Sequence, residues 1–249
     1  MRIMLIDDDR AFIDIARFIL ERNGHTVEVF FESGKALDLF SRVQPHLLVT
    51  DYNIDQMSGV DVTRIIRRTS IVPVMLVSSQ LLSLDDEVKA IDVGVDLFMS
   101  KPIEPKKFLA YVNALTRRAS LISDSAYSNS SGSYNGSGST IMRKDLVMDL
   151  DSYEVYKGGQ SVTLTSTEFR LLHYLMTNAG RVLKPESICE RLWGTDDPDS
   201  VKILKTHVSR LRQKLGDDAR NPEYISTIVG SGYVFKIDKE KSESLATRV

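Results

Sequence analysis

Apolar residues fall into two alternating patterns over roughly the first 118 positions. RIMLI (2–6), TVEVF (26–30), HLLVT (46–50), VPVMLV (72–77) and DLFM (96–99) are short apolar runs, and they predict five strands. Between them AFIDIARFILER (11–22), GKALDLFSRV (34–43), VDVTRIIRR (60–68) and LDDEVKAIDV (84–93) repeat their apolar positions at helical spacing, as does PKKFLAYVNALTRR (105–118) after the last strand. Asn23-Gly24 and Gly94 stand where two of these helices should stop. Regular strand–helix alternation predicts an α/β domain, a five-stranded parallel sheet wound on both faces by helices.

The pattern then breaks. SDSAYSNSSGSYNGSGST (123–140) is Ser, Gly and Asn with no apolar period, a linker composition. Beyond it DLVMDL (145–150), YEVYK (153–157) and SVTL (161–164) predict short antiparallel strands, the last two joined through KGGQ. TSTEFRLLHYLMTN (165–178) opens with Thr165 and Glu168 at capping-box spacing. A second helix follows Pro185 and a third runs through SVKILKTHVSRLRQKL (200–215). EYISTIV (223–229) and YVFKI (233–237), linked through Gly-Ser-Gly, close the chain as a hairpin. Three helices followed by a hairpin predict an α+β winged helix-turn-helix. The expected division is 1–118 for the first domain, 119–140 for the linker, 141–239 for the second domain and 240–249 for a tail.

Composition adds exclusions. A net charge of -2 over 249 residues rules out a uniformly basic nucleic-acid binder but leaves room for one basic face. The single cysteine, Cys189, permits no intrachain disulfide, which fits a reducing compartment. No apolar run approaches the roughly 20 residues that span a bilayer, and acids by position 7 do not suit a signal peptide. The expectation is a cytoplasmic protein with no membrane partner.

Candidate chemistry follows from the sheet. Ligands of an open parallel sheet bind beyond the carboxyl ends of its strands. There the first strand delivers Asp7, Asp8 and Asp9, the third Asp51, the fourth Ser78 and the fifth Ser100-Lys101. A lone acid at such an end is ordinarily a solvated residue or a helix cap, and Asp9 is expected to be one. The set together suits a hard cation such as Mg²⁺ and phosphoryl transfer to an aspartate, with lysine and hydroxyl holding phosphoryl oxygens.

These residues resemble a response-regulator receiver over 1 to about 118. The resemblance implies Asp51 in LLVTDYN as phosphoacceptor and Mg²⁺ held by Asp8, Asp51 and the backbone carbonyl of Asn53, with Asp7 acting through water. It implies Ser78 and Phe98 as the switch pair and Lys101-Pro102 as the lysine–proline motif, its peptide bond often cis. Two departures stand out. Asp55 replaces the usual proline four residues after the acceptor. On the face through which relatives dimerise, Glu87 and Lys107 exchange the usual signs, and Leu97 and Tyr111 replace an acid–arginine pair.

In the second domain Val201, Leu204, Val208, Leu211 and Leu215 make an apolar stripe at spacings of three and four. The opposite face carries Lys202, Thr206, Ser209 and Gln213, flanked by Lys205, Arg210 and Arg212, a surface suited to a major groove. LTSTEFRLLHYL, RLWG, THVSRLRQKLG and IVGSGYVF resemble OmpR/PhoB-type winged-helix domains over about 143–237. By that resemblance Lys205, Thr206 and Arg210 face bases, while Lys202 and Arg212 bind phosphates. The GTDDPD loop (194–199) matches one that contacts RNA polymerase in some relatives, and Val229 stands where a wing arginine is common. The implied function is a two-component transcription regulator rather than an enzyme. A sensor histidine kinase would phosphorylate it, and it would then dimerise on double-stranded DNA. The alternatives are a DNA-binding regulator independent of phosphorylation and an Mg²⁺-dependent phosphohydrolase. Asn53 disfavours the second, because it stands where such enzymes need a general acid.

Overall fold

A computed structural model describes residues 1–54, 57–80, 83–116 and 140–237. Asp55, the expected linker up to 139 and the tail from 240 lie outside them. The chain divides into two compact units.

The first unit runs β1 (Arg2–Ile6), α1 (Arg10–Arg22), β2 (Thr26–Phe30), α2 (Ser33–Val43), β3 (Leu47–Asp51), a two-residue strand pair β4 (Asn53–Ile54) and β5 (Met57–Ser58), α3 (Gly59–Ile66), β6 (Val74–Ser78), α4 (Leu84–Val93), β7 (Leu97–Ser100) and α5 (Pro105–Thr116). The sheet is parallel with strand order β2-β1-β3-β6-β7. Its strands read as continuous apolar runs because both faces are covered. Met4, Ile6, Leu48, Val74 and Leu76 pack with Ala36 of α2, Val62 and Ile66 of α3 and Ala90 of α4. Their strand neighbours Ile3, Leu5, Val49, Met75 and Val77 are equally buried and point to the opposite face. The caps are local. Asp9 accepts from the amides of Ala11 and Phe12 at 3.0 and 3.2 Å, so it caps α1 as its position predicts. Ser58 and Ser83 cap α3 and α4 in the same way.

The second unit opens on an antiparallel sheet, β8 (Thr140–Arg143), β9 (Leu146–Asp149), β10 (Glu154–Lys157) and β11 (Gln160–Ser161), in order β11-β10-β9-β8. The sequence pattern does not predict β8, which begins at the last residue assigned to the linker. Three helices follow, α6 (Ser166–Thr177), α7 (Pro185–Trp193) and α8 (Pro198–Leu215), then the hairpin β12 (Ile225–Ile228) and β13 (Gly232–Phe235). Helix α8 starts two residues before the predicted segment 200–215. Asp197 caps it by accepting from the amides of Asp199 and Ser200 at 3.1 and 3.0 Å, and Pro198 takes the first turn. Gly232 is obligatory in this hairpin: a Cβ there would stand 2.0 Å from the carbonyl oxygen of Leu183, which bridges to Tyr233. No helix of the described residues is long and apolar enough to cross a membrane.

Candidate functional site

The strand order places the ends of β1, β3, β6 and β7 side by side, and three of the predicted rim residues meet there. Lys101 Nζ lies 2.7 Å from Asp7 Oδ2 and 2.8 Å from Asp51 Oδ1. All three side chains are at least 88% buried. The ammonium also lies 4.4 Å from the centroid of the Phe12 ring, whose face favours a cation. Burial pulls the lysine pKa down, but bonds to Asp51 and Asp7 outweigh it and the net shift is upward. Burial raises Asp7 to about 6 against the opposing pull of Lys101 and the Asp9 amide, with Asp51 adding to the rise. The like-charge problem of two neighbouring carboxylates is therefore met by one shared cation.

Asp51 is fixed from its other side by the chain that follows it. Its Oδ2 accepts from the Asn53 amide at 2.7 Å. The Tyr52 amide bonds to Val77 O at 2.8 Å and the Gly59 amide to Tyr52 O at 2.9 Å. Gly59 opens α3 directly against Asp51: a Cβ on it would sit 2.1 Å from Asp51 O. This contact requires glycine for space. Sequence reasoning misses it, although a lone glycine at a helix start eight residues past a strand-end acid is a visible signal.

Ser78 Oγ donates to Gln80 O at 2.9 Å and accepts from Gln80 N at 3.1 Å, so its hydroxyl is held by its own turn. Phe98, half-buried, packs against the core cluster on the α2–α3–α4 face. The Lys101-Pro102 peptide is cis. Asp8 is exposed at the end of β1, and Asn53 is exposed beyond β3. Among the described residues no three acids, histidines or cysteines close around a metal-sized gap. The donors at this rim are all oxygen: carboxylates of Asp7, Asp8 and Asp51 and the carbonyl of Asn53. That chemistry fits a hard divalent ion that keeps several waters.

The expected dimer face needs one correction. Leu97 pairs in register with Met75 and is fully buried, and Tyr111 is 2% exposed, so neither offers open surface. Both present apolar bodies where the family pattern has charges, and burial follows. Lys107 Nζ lies 5.6 Å from the Tyr111 ring centroid, and Glu87 is half-buried on α4.

On α8 the buried side is Ser200, Ile203, Leu204, His207, Val208, Leu211 and Leu215. Leu204, Val208, Leu211 and Leu215 of the predicted stripe are buried, Val201 is only half-buried, and Ser200, Ile203 and His207 widen the stripe on one side. His207 is buried and belongs to the core of this unit. Lys202, Lys205 and Ser209 are exposed, and Thr206 and Arg210 half-exposed, on the outward side. Lys202 reaches Asp199 at 3.1 Å on the surface, and Arg210 Nη1 donates to Gln213 Oε1 at 2.8 Å. Arg212 instead turns to the hairpin and donates to Ile225 O and Thr227 Oγ1. Val229 at the hairpin tip is 93% exposed.

Known proteins match both units. The family model of the response regulator receiver domain matches residues 3–113. That of the transcriptional regulatory protein C-terminal domain matches residues 159–235. Two RitR mutants of solved structure are 22% and 23% identical, with TM-scores of 0.69 and 0.68; each match covers 95% of this chain and 99% of that one. DrrB, an OmpR/PhoB homologue from Thermotoga maritima, is 29% identical over 94% of this chain and 98% of its own, with a TM-score of 0.48. The RstA DNA-binding domain of Klebsiella pneumoniae, solved with the RstA box, is 32% identical over 39% of this chain and 96% of its own, with a TM-score of 0.38.

Proposed function

The chain is a response regulator of the OmpR/PhoB type, a receiver followed by a DNA-binding domain, and from that premise we propose that a sensor histidine kinase phosphorylates it on Asp51 to control its binding to DNA. One observation carries the proposal: the Asp51 carboxylate is held at the sheet rim between Lys101 at 2.8 Å and the Asn53 amide at 2.7 Å. Transfer forms an Asp51 O–P bond and breaks the P–N bond of a phosphohistidine, whose electron pair leaves on the imidazole nitrogen. Little covalent work falls to the protein beyond positioning and charge neutralisation. Lys101 already stands on the acceptor and can follow charge onto the incoming oxygens. Ser78 leaves its Gln80 bonds to hold one of them, and Phe98 moves with it against the α4 side of the sheet.

Asp8, Asp51 and the Asn53 carbonyl would hold Mg²⁺, with Asp7 reaching it through water. When bound, the ion supplies positive charge to the phosphoryl oxygens.

In the second domain Lys205, Thr206 and Arg210 of α8 face the bases, with Ser209 beside them and Lys202 on phosphate. Glu87 and Lys107 mark the face through which activated chains pair. A contact to RNA polymerase would use the exposed acids Asp196 and Asp199, because Asp197 is spent capping α8. The protein acts in the cytoplasm, as its role in transcription requires.

The test is intact mass after incubation with Mg²⁺ and a small acyl phosphate. A gain of about 80 Da, the mass of one phosphoryl group, that is absent in Asp51→Asn supports the reading. An unmodified mass under conditions that load a known receiver overturns it in favour of a regulator independent of phosphorylation. A phosphohydrolase would instead release inorganic phosphate in continuous turnover.

A further inference from the structure

Arg212 sits on α8 among residues whose charge suits DNA, and its guanidinium is already committed. Nε and Nη2 donate to Ile225 O at 3.1 and 2.8 Å, and Nη2 also donates to Thr227 Oγ1 at 2.8 Å. Nε and Nη2 together form one of the two-pronged edges with which an arginine grips a phosphate. Here that edge grips the first strand of the hairpin.

The same strand is gripped a second time. Asp217, 7% exposed and one residue past the Gly216 cap of α8, accepts from the amides of Glu223 at 2.6 Å, Tyr224 at 3.2 Å and Ile225 at 2.8 Å. Both backbone polar groups of Ile225 are thus held from the end of α8, the N–H by Asp217 and the C=O by Arg212. Ile225 pairs with Phe235 and Thr227 with Tyr233, so the grip extends through the ladder to β13. Val229 follows four residues after Ile225, about 13 Å along an extended strand. A small rotation at Ile225 therefore displaces the tip by several times more than the base.

We propose that Arg212 is a positioning residue that fixes the wing to the recognition helix, rather than a contact to DNA phosphate. The inference rests on the reading of α8 and the hairpin as the DNA-binding surface. It assigns Arg212 a role different from the phosphate contact that resemblance implies. The positive charge is incidental to this role; the planar fork, which lysine lacks, is what matters.

The experiment uses the full chain and two duplexes: one selected from a random pool by the wild-type protein, and one of mixed sequence. Affinity is measured against salt concentration for wild type, Arg212→Lys, Arg212→Gln, Thr227→Val and the Arg212→Lys/Thr227→Val pair. Arg212→Lys and Arg212→Gln should weaken the selected duplex alike, about tenfold, with the wild-type salt slope and little change on the mixed duplex. Thr227→Val should lose part of that factor, and the double variant no more than Arg212→Lys alone. A phosphate contact predicts otherwise. Lysine would then keep wild-type affinity, and glutamine would lower the slope by about 0.9 and weaken both duplexes; either result overturns the proposal. If the Arg212 variants melt early, Thr227→Val decides, since wild-type affinity in that variant also overturns it. A wild-type chain that selects no duplex would instead defeat the reading of α8 and the hairpin, a failure distinct from all of these.

Discussion

Lys101 Nζ stands 2.8 Å from Asp51 Oδ1, and the same nitrogen stands 2.7 Å from Asp7 Oδ2. The lysine therefore does two jobs at the rim: it neutralises Asp51, and it bridges two acids that burial would otherwise set against each other. Removing it should expose both.

Lys101→Met should destabilise the first unit by about 3 kcal/mol, since a buried pair that loses one partner leaves an uncompensated charge. Urea denaturation at neutral pH without divalent ions would measure this. The variant should recover stability toward acid. Asp7 has a folded value of about 6, above its ordinary 3.8, so its protonated form favours the fold. Without the lysine this preference strengthens, and stability falls as pH rises through 6. Mg²⁺ should restore part of the loss, and phosphoryl uptake from an acyl phosphate should fall steeply.

Gly59→Ala tests the contact behind the acceptor. A Cβ 2.1 Å from Asp51 O cannot be accommodated without moving backbone on one side. The expected cost is about 2–3 kcal/mol in denaturant, with phosphoryl uptake slowed at least tenfold because the acceptor moves with its carbonyl. Gly34 is the control: a Cβ there would meet nothing within 4 Å, and Gly34→Ala should be close to neutral.

His173 should set the acid limit of the second unit. Burial holds its pKa at about 4, below the ordinary 6.5, and the side chain is 3% exposed. Between those values the unfolded chain binds the proton and the folded one does not. Stability is full above pH 6.5 and is lost as pH falls toward 4, by about 3 kcal/mol. His173→Leu should flatten that dependence. Urea denaturation followed by circular dichroism at a series of pH values would measure the loss.

Salt dependence should separate the roles of the wing tip and the helix face. Val229, 93% exposed, offers the duplex no charge. Val229→Arg should steepen the slope of log affinity on log salt by about one unit, and Lys202→Gln, at the side chain proposed to lie on phosphate, should make it shallower. If Lys205 reads a base edge, the loss of affinity in Lys205→Gln should concentrate at one base pair of the selected site.

The receiver is legible in the sequence because periodicity and strand-end chemistry act together. Continuous apolar runs mark the five strands to within one or two residues, and the rim rule then brings Asp7, Asp51, Ser78 and Lys101 to one edge. The β4–β5 pair escapes notice because two-residue strands have no period to detect. Strand β8 is hidden by its position against a Ser/Gly-rich stretch, with only Ile141 and Met142 apolar in it. Orientation is the harder problem. An exposed basic residue and a basic residue folded back on its own domain look the same in sequence, which is why Arg212 reads there as a DNA contact. Leu97 and Tyr111 fall on an open face by position alone, and their apolar character is the available sign of burial.

The three amides gathered by Asp217 have a consequence for how a binding site is chosen. A hairpin pinned at its root cannot swing to follow a duplex, so on the proposed DNA-binding reading a rigid caliper would measure the spacing between the groove that takes α8 and the groove beside the tip. Sequences that present the right base edges in a duplex of the wrong groove width would then be rejected, and stiffness of the flanking steps becomes part of the address.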